Sequence, residues 1–106
     1  MAVETAVRPG PLGQAIIARD DETMSGSMVP RYPFVMERGL GAHVWDVDGN
    51  EYVDFAAGIA VNSTGHCHPK VGEAITQQAQ KFLHIAGTDY YYEVQVRLAE
   101  RLAGIS

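Results

Sequence analysis

The sequence predicts an α/β chain of one β-hairpin and three helices that together do not complete a domain. Alternating apolar and polar residues flank Asp48-Gly49, which is typical of a hairpin. Apolar residues at helical spacing follow Pro11, Pro69 and Tyr91. The 106 residues have room for one small domain, and 46% hydrophobic with 20% charged residues is a globular composition.

The first predicted element is a short helix that begins at Pro11. Proline at the first helical position loses no hydrogen bond there. We expect this helix to run to about Asp21, with Ile16 and Ile17 as its apolar anchors. Serine, glycine and two prolines between Met24 and Pro33 then predict an irregular segment.

The hairpin is the strongest local prediction. Glycine accepts the positive φ that a tight hairpin turn requires, so Asp48-Gly49 is expected at the tip. A two-residue loop of these residues would pair Trp45 with Tyr52 across the strands. The run from Gly58 to Val61 is predicted to add a third short strand.

Two amphipathic helices complete the chain. Pro69 begins one, whose apolar spacing continues to Leu83, and the last helix is expected from about Tyr91 to Ala103. Gly72 weakens the first of them, because glycine is a poor helix former. The two helices have little to pack on, so we expect them to need partners outside this chain. Their apolar stripes include Val71, Ile75, Phe82, Val94, Leu98 and Leu102.

Charge and composition exclude several partners. The net charge of −5 argues against nucleic acid, which needs a basic surface. The apolar run from Phe55 to Val61 is far shorter than the ~20 residues that a bilayer crossing needs, and residues 1–7 lack the features of a secretory signal, so no membrane partner is expected. A single cysteine, Cys67, cannot form an internal disulfide, which favours the cytoplasm.

A metal site is the first functional alternative. His66, Cys67 and His68 are adjacent, and His84 would be a fourth ligand. Adjacent side chains do not converge easily on one ion, and no paired CxxC or HxxxH spacing supports them. The favoured interpretation is a tight turn leading into a helix, with His66 hydrogen-bonding nearby backbone.

A calcium loop is the second alternative, suggested by the acidic run from Asp46 to Asp54. An EF-hand has glycine at position six and glutamate at position twelve. Counted from Asp46, Gly49 comes fourth and Ala57 twelfth, so the hairpin turn is favoured. The two lysines, Lys70 and Lys81, are predicted on the exposed side of a helix, where nothing would adapt them for imine formation.

A longer pattern resembles a known family. The residues that resemble class III aminotransferases are Val44 to Val61, Gly65 to Val71, Ala74-Ile75, Gln78, His84, and finally Leu98 to Leu102. The resemblance is greatest to the branch of 4-aminobutyrate and acetylornithine aminotransferases and covers roughly residues 30–106. Gly72 departs from the pattern, where a branched aliphatic residue is expected.

This resemblance implies a fold-type-I enzyme that binds pyridoxal 5'-phosphate and works as a homodimer. Residues 1–29 would be an amino-terminal arm with a short helix. Residues 30–88 would be the amino-terminal segment of the small domain, and residues 89–106 a helix leading into a large domain. The resemblance also implies that the phosphate turn, the imine-forming lysine and the other cofactor ligands lie beyond this chain, so no catalytic or cofactor-binding residue is expected within it.

The resemblance places two residues on the substrate side of the active site. Ile59 would form part of the wall around the substrate's carbon chain, and Thr88 would lie near the active site of one subunit or its neighbour. The simpler interpretations are core packing for Ile59 and a helix-start residue for Thr88. The implied reaction moves an amino group from an amino acid or ω-amino acid, such as 4-aminobutyrate, to a 2-keto acid. Amino-acid racemisation on the same fold, or a truncated chain without activity, stays open.

Overall fold

The computed structural model describes residues 8–28, 30 and 32–106, and the rest of the predicted amino-terminal arm lies outside them. The chain divides into two compact units, Met1–Val71 and Gly72–Ser106. Helices and a small antiparallel sheet confirm the predicted α/β class. The elements in order are α1 (Pro11–Thr23), β1 (Met36–Leu40), β2 (His43–Asp46), β3 (Glu51–Val53), α2 (Pro69–Ala79) and α3 (Glu93–Ala103).

The three strands form one antiparallel sheet in the order β1-β2-β3. Leu40 pairs with His43, so the connection between β1 and β2 has only two residues, and Gly41 takes a φ of +58° there. The predicted hairpin around Asp48-Gly49 is confirmed as β2–β3. The candidate functional site is attached to this sheet.

The predicted pairing of Trp45 with Tyr52 is wrong by one residue. Tyr52 pairs with Val44, and Trp45 pairs with Glu51. The Asp46 N–H donates to the Asn50 carbonyl at 3.0 Å, which leaves a loop of three residues, 47–49. Gly49 at φ +85° closes this loop, as glycine commonly does in three-residue hairpins. One additional loop residue shifts the partner of every residue in the strand by one.

The predicted strand at residues 58–61 is also wrong. Ala57, Gly58, Ile59 and Ala60 have φ of +48°, +62°, +59° and +67°, whereas a strand requires negative φ. The third strand is β1 instead, which the sequence did not predict. Its residues Met36–Leu40 read Met-Glu-Arg-Gly-Leu without apolar alternation, and the pairing is irregular within it.

The helix starts were predicted better than the helix ends. α1 and α2 begin at Pro11 and Pro69 as expected. However, α2 ends at Ala79, before the predicted Leu83, and the Gln78 carbonyl accepts both the Lys81 N–H at 3.0 Å and the Phe82 N–H at 3.1 Å. The bond from Lys81 is the tighter 3₁₀ type that is frequent where an α-helix ends.

The last helix begins two residues later than predicted. Tyr92 precedes it in an extended conformation, with φ −149°, and Glu93 is the first helical residue. The ring of Tyr92 meets Phe82 edge-on at 6.1 Å between centroids. This contact belongs to the second unit and fixes the chain before the helix starts.

The described residues contain no buried apolar side chain. The predicted stripes are accordingly uncovered, with Val94, Leu98 and Leu102 exposed by 51%, 60% and 54%. None of the described helices has the length and apolar character that a membrane crossing requires. The apolar side chains of α3 are therefore exposed in this structure.

Candidate functional site

Asp46 organises the turn between β2 and β3. It is the buried polar side chain of the described residues, only 3% exposed. Its carboxylate accepts hydrogen bonds from the Asp48 and Asn50 backbone amides, from the Asn50 side chain and from the Tyr52 hydroxyl at 2.8 Å. Burial opposes ionisation, but the bonds from Asn50 and Tyr52 outweigh it and lower the pKa of Asp46. These contacts favour the hairpin-turn interpretation over a calcium loop.

A second carboxylate, Asp54, follows β3 and joins two parts of the first unit. Its Oδ2 lies 2.6 Å from Nε2 of His66. An ionised carboxylate can only accept, so the imidazole Nε2 carries the shared proton. The Oδ1 atom of Asp54 accepts hydrogen bonds from the backbone amides of Ala56 and Ala57, both at 2.9 Å. The bond from His66, then those from Ala57 and Ala56, keep the pKa of Asp54 below its ordinary value.

His66 is itself fixed to the sheet. Its backbone exchanges two hydrogen bonds with Gly41, at 3.0 and 2.8 Å. Its ring lies over Gly39, where an added Cβ would come within 2.6 Å of the imidazole. The prediction that His66 bonds nearby backbone is wrong for its side chain, which bonds the Asp54 carboxylate instead. Asp54 lies 12 residues away, and no spacing in the sequence indicates that pairing.

Residues 57–60 form a left-handed turn directly after Asp54. The Ala60 N–H donates to Ala56 at 3.0 Å, and the Asn62 N–H to Ala57 at 2.8 Å. Left-handed backbone costs about 1–2 kcal/mol for each non-glycine residue. Such conformations persist only where the surroundings enforce them, and they cluster at functional sites. For a β-branched residue such as Ile59, the positive φ is a marked outlier.

Ile59 is presented outward by this turn, with 94% of its surface exposed. The core-packing interpretation is therefore wrong within this chain. Its flanking apolar residues Phe55 and Val61 are exposed by 96% and 83%. Beside the turn, an open groove of about 430 Å³ is lined by residues that include Arg38, Asp54, Gly58 and His66. The turn thus offers an apolar side chain next to a groove whose lining is mostly apolar.

Thr88 belongs to the second unit, whereas Ile59 belongs to the first. It is exposed within a turn that the Asp89 and Tyr90 amides close onto the Ala86 carbonyl, at 2.9 and 3.0 Å. Since Tyr92 occupies the residue position directly before α3, Thr88 is not a helix-start residue.

The potential metal ligands of the described residues occur at most in pairs. Across the described ranges, no three His, Cys, Asp or Glu side chains are grouped to hold an ion. Cys67 is exposed at φ +55°, and His66 is bonded to Asp54. Lys70 and Lys81 are both exposed.

Comparison with known proteins places these features in a family. A family model described as aminotransferase class-III matches residues 24–106. Acetylornithine aminotransferase of Methanothermobacter thermautotrophicus is 53% identical over 76 residues, covering 72% of this chain and 19% of the relative. Succinylornithine transaminase of Salmonella typhimurium is 51% identical over 78 residues, covering 71% and 19%. The chain spans about a fifth of the length of these curated relatives.

Solved structures agree with this assignment. The ornithine aminotransferase of Toxoplasma gondii, described with pyridoxal phosphate at partial occupancy in its active site, superposes with a TM-score of 0.74 at 34% identity, over 88% of this chain and 21% of its own. The N-acetylornithine aminotransferase of Stenotrophomonas maltophilia gives 0.68 at 40% identity, over 81% and 21%. These similarities confirm the predicted fold class.

Proposed function

We propose a function from one premise: the chain belongs to the class III aminotransferase family. It is the amino-terminal part of a transaminase that moves an amino group from an ω-amino donor to a 2-keto acid. The observation that carries this proposal is the family match over residues 24–106. In the complete protein, the cofactor is pyridoxal 5'-phosphate, whose ring serves as an electron sink while the amino group is transferred.

The donor we propose is of the ornithine type. The relatives above are named for acetylornithine, succinylornithine and ornithine, which all carry a terminal amine on a short carbon chain. A 4-aminobutyrate donor has the same terminal amine, but none of these names supports it. A carbon chain of this kind is accommodated by apolar surface, while polar groups fix its ends.

The described residues do not fit the cofactor itself. A lysine that forms an imine needs a desolvated or cation-flanked pocket. Lys70 and Lys81 are instead exposed. We therefore assign no step of the cofactor's chemistry to these residues, and expect the lysine and phosphate ligands elsewhere in the complete protein.

The contribution proposed for this chain is to bind and orient the donor. Ile59, held outward on the left-handed turn, would pack against the donor's methylene groups and exclude water from them. Thr88, exposed in its own turn, would contribute a hydroxyl near the active site. Both assignments require the complete protein, which we propose to be a cytoplasmic homodimer.

The test is amino transfer by the full-length gene product. The purified protein is incubated with pyridoxal phosphate, 2-oxoglutarate and, in separate reactions, N-acetylornithine, ornithine or 4-aminobutyrate. We expect glutamate to form fastest with an ornithine-type donor. Interconversion of amino-acid enantiomers without a keto acid would replace the proposal with racemisation. A reading frame that stops after Ser106, with no transfer, would leave an inactive fragment.

A further inference from the structure

The turn that carries Ile59 is joined to the sheet through one side-chain pair. Asp54 has two carboxylate oxygens with different partners. Oδ1 accepts hydrogen bonds from the backbone amides of Ala56 and Ala57, which lead into the turn, both at 2.9 Å. Oδ2 accepts a hydrogen bond from Nε2 of His66 at 2.6 Å. The carboxylate therefore connects the start of the turn with the segment that follows it.

Both ends of this connection are fixed. The Asp54 N–H donates to the Ala42 carbonyl at 2.8 Å, and the His66 backbone exchanges two bonds with Gly41. The imidazole also packs closely on Gly39, where an added Cβ would come within 2.6 Å of the ring. The two side chains, His66 and Asp54, are only 22% and 14% exposed, so water competes weakly for their bond.

We propose that Asp54 and His66 are positioning residues, which hold residues 57–60 left-handed and thereby fix Ile59 toward the donor. This rests on the proposed function, because Ile59 has a substrate only if the complete protein is the transaminase. Left-handed alanine and isoleucine residues relax to ordinary backbone unless neighbouring contacts prevent it. Beside the backbone bond from Asp54 to Ala42, the bond between His66 and Asp54 is the side-chain contact that ties this turn to the sheet.

The chain contains a matched control for this pair. His43 and Glu51 form a second imidazole–carboxylate contact, with Nδ1 and Oε1 2.8 Å apart. These side chains are 48% and 54% exposed and lie on paired strands. Removing the His43 imidazole thus eliminates the same type of bond without touching the turn.

The experiment uses the full-length protein with pyridoxal phosphate and compares His66→Ala, His66→Gln and His43→Ala. Hydrogen exchange of peptides covering residues 55–62 measures the turn directly. We expect His66→Ala to accelerate exchange there about tenfold, since a hydrogen bond to a charged group stabilises by about that factor. Glutamine can donate from a similar position, so His66→Gln should restore most of the protection. His43→Ala should leave these peptides unchanged.

Kinetics give the functional measurement. We expect His66→Ala to raise the KM for the amino donor about tenfold while kcat changes less than about twofold, because ground-state and transition-state binding are lost together. The KM for the keto acid and the cofactor absorbance serve as checks that the protein is intact. If His66→Ala does not fold, Asp54→Asn replaces it, because the amide oxygen still accepts from the turn while the acceptor facing His66 is lost.

The outcomes separate the two proposals. Unchanged exchange at residues 55–62 in a folded variant would overturn the positioning role, whatever the activity. Faster exchange with an unchanged KM for the donor would also overturn it, because the turn would then not serve the substrate. If the unaltered protein shows no amino transfer, the proposed function fails, and the exchange comparison still decides whether the pair holds the turn.

Discussion

Asp48, at the tip of the β2–β3 hairpin, caps the helix in which Gly13 lies. The Gly13 N–H donates to Oδ2 of Asp48 at 2.9 Å, and the Leu12 N–H donates to Oδ1 at the same distance, across 35 and 36 residues of sequence. The first amides of a helix have no partner within the helix, and their partial positive charge favours a carboxylate. This pair of bonds ties α1 to the sheet in the first unit.

Replacing Asp48 by alanine is expected to lower the free energy of unfolding by about 1 kcal/mol, as for loss of a helix cap. Trp45 is the single tryptophan, so its fluorescence in urea reports on this unit. Asp21→Ala is the control, since that exposed acid lies near the other end of α1. Equal midpoints for the two variants would show that the cap does not stabilise the fold.

Two glycine-to-alanine substitutions should act in opposite directions. At Gly10, an added Cβ would lie 2.5 Å from Cγ of Asp48, so Gly10→Ala must displace the cap and destabilise the first unit. At Gly72, nothing lies within 4 Å, and alanine in α2 should stabilise that helix by about 1 kcal/mol. Urea unfolding tests the first substitution, and helical circular dichroism tests the second. A stabilising Gly10→Ala would contradict the described contact.

Acid should destabilise the first unit through Asp46 and Asp54. Both pKa values lie below the ordinary value of about 3.9. Groups of this kind stabilise the fold above the unfolded pKa, and the stabilisation is lost as the pH falls through the folded pKa. We expect urea midpoints to be constant from neutral pH to about 5 and to fall below about 4.

The control for this pH dependence is Asp54→Asn, which does not titrate at that position. It should be less stable at neutral pH and should lose less stability on acidification. A parallel pH profile for both proteins would show that Asp54 contributes nothing to the acid transition.

The isolated 106-residue chain should be marginally stable and prone to associate. Six apolar side chains of the predicted stripes are 40–64% exposed. A fully buried side chain of this type contributes about 1.5–3 kcal/mol, whereas a whole domain is stable by only ~5–15 kcal/mol. Light scattering should detect association, which Leu98→Ser with Leu102→Ser should reduce. A clean monomer with the ~5–15 kcal/mol stability of a typical domain would show instead that the chain is a self-sufficient domain.

The local signals in the sequence predicted where elements start. Proline at positions 11 and 69 marks helix starts, and Asp48-Gly49 marks the hairpin, because each acts through its own backbone geometry. The register was missed because the loop length depends on how Asp46 bonds to Asn50. No residue type in the hairpin predicts whether the loop has two or three residues.

The site was harder to predict than the fold. The bond between Asp54 and His66 depends on the chain bringing two segments together, and the left-handed turn uses alanine and isoleucine where glycine would be expected. The functional positions of Ile59 and Thr88 came from family resemblance rather than from local pattern, and they stay predictions.

The role of Ile59 is tested most directly by comparing Ile59→Ala with Val61→Ala in the full-length protein. Val61 is the matched control, because it is apolar, 83% exposed and only two residues away. If Ile59 lines the donor site, its truncation should lower kcat/KM for the ornithine-type donor by about 10-fold or more, as for lost methylene contacts, with cofactor content unchanged. Val61→Ala should change it less than about twofold. Equal effects of the two substitutions, or no effect of either, would contradict the assignment of this turn to the substrate side of the active site.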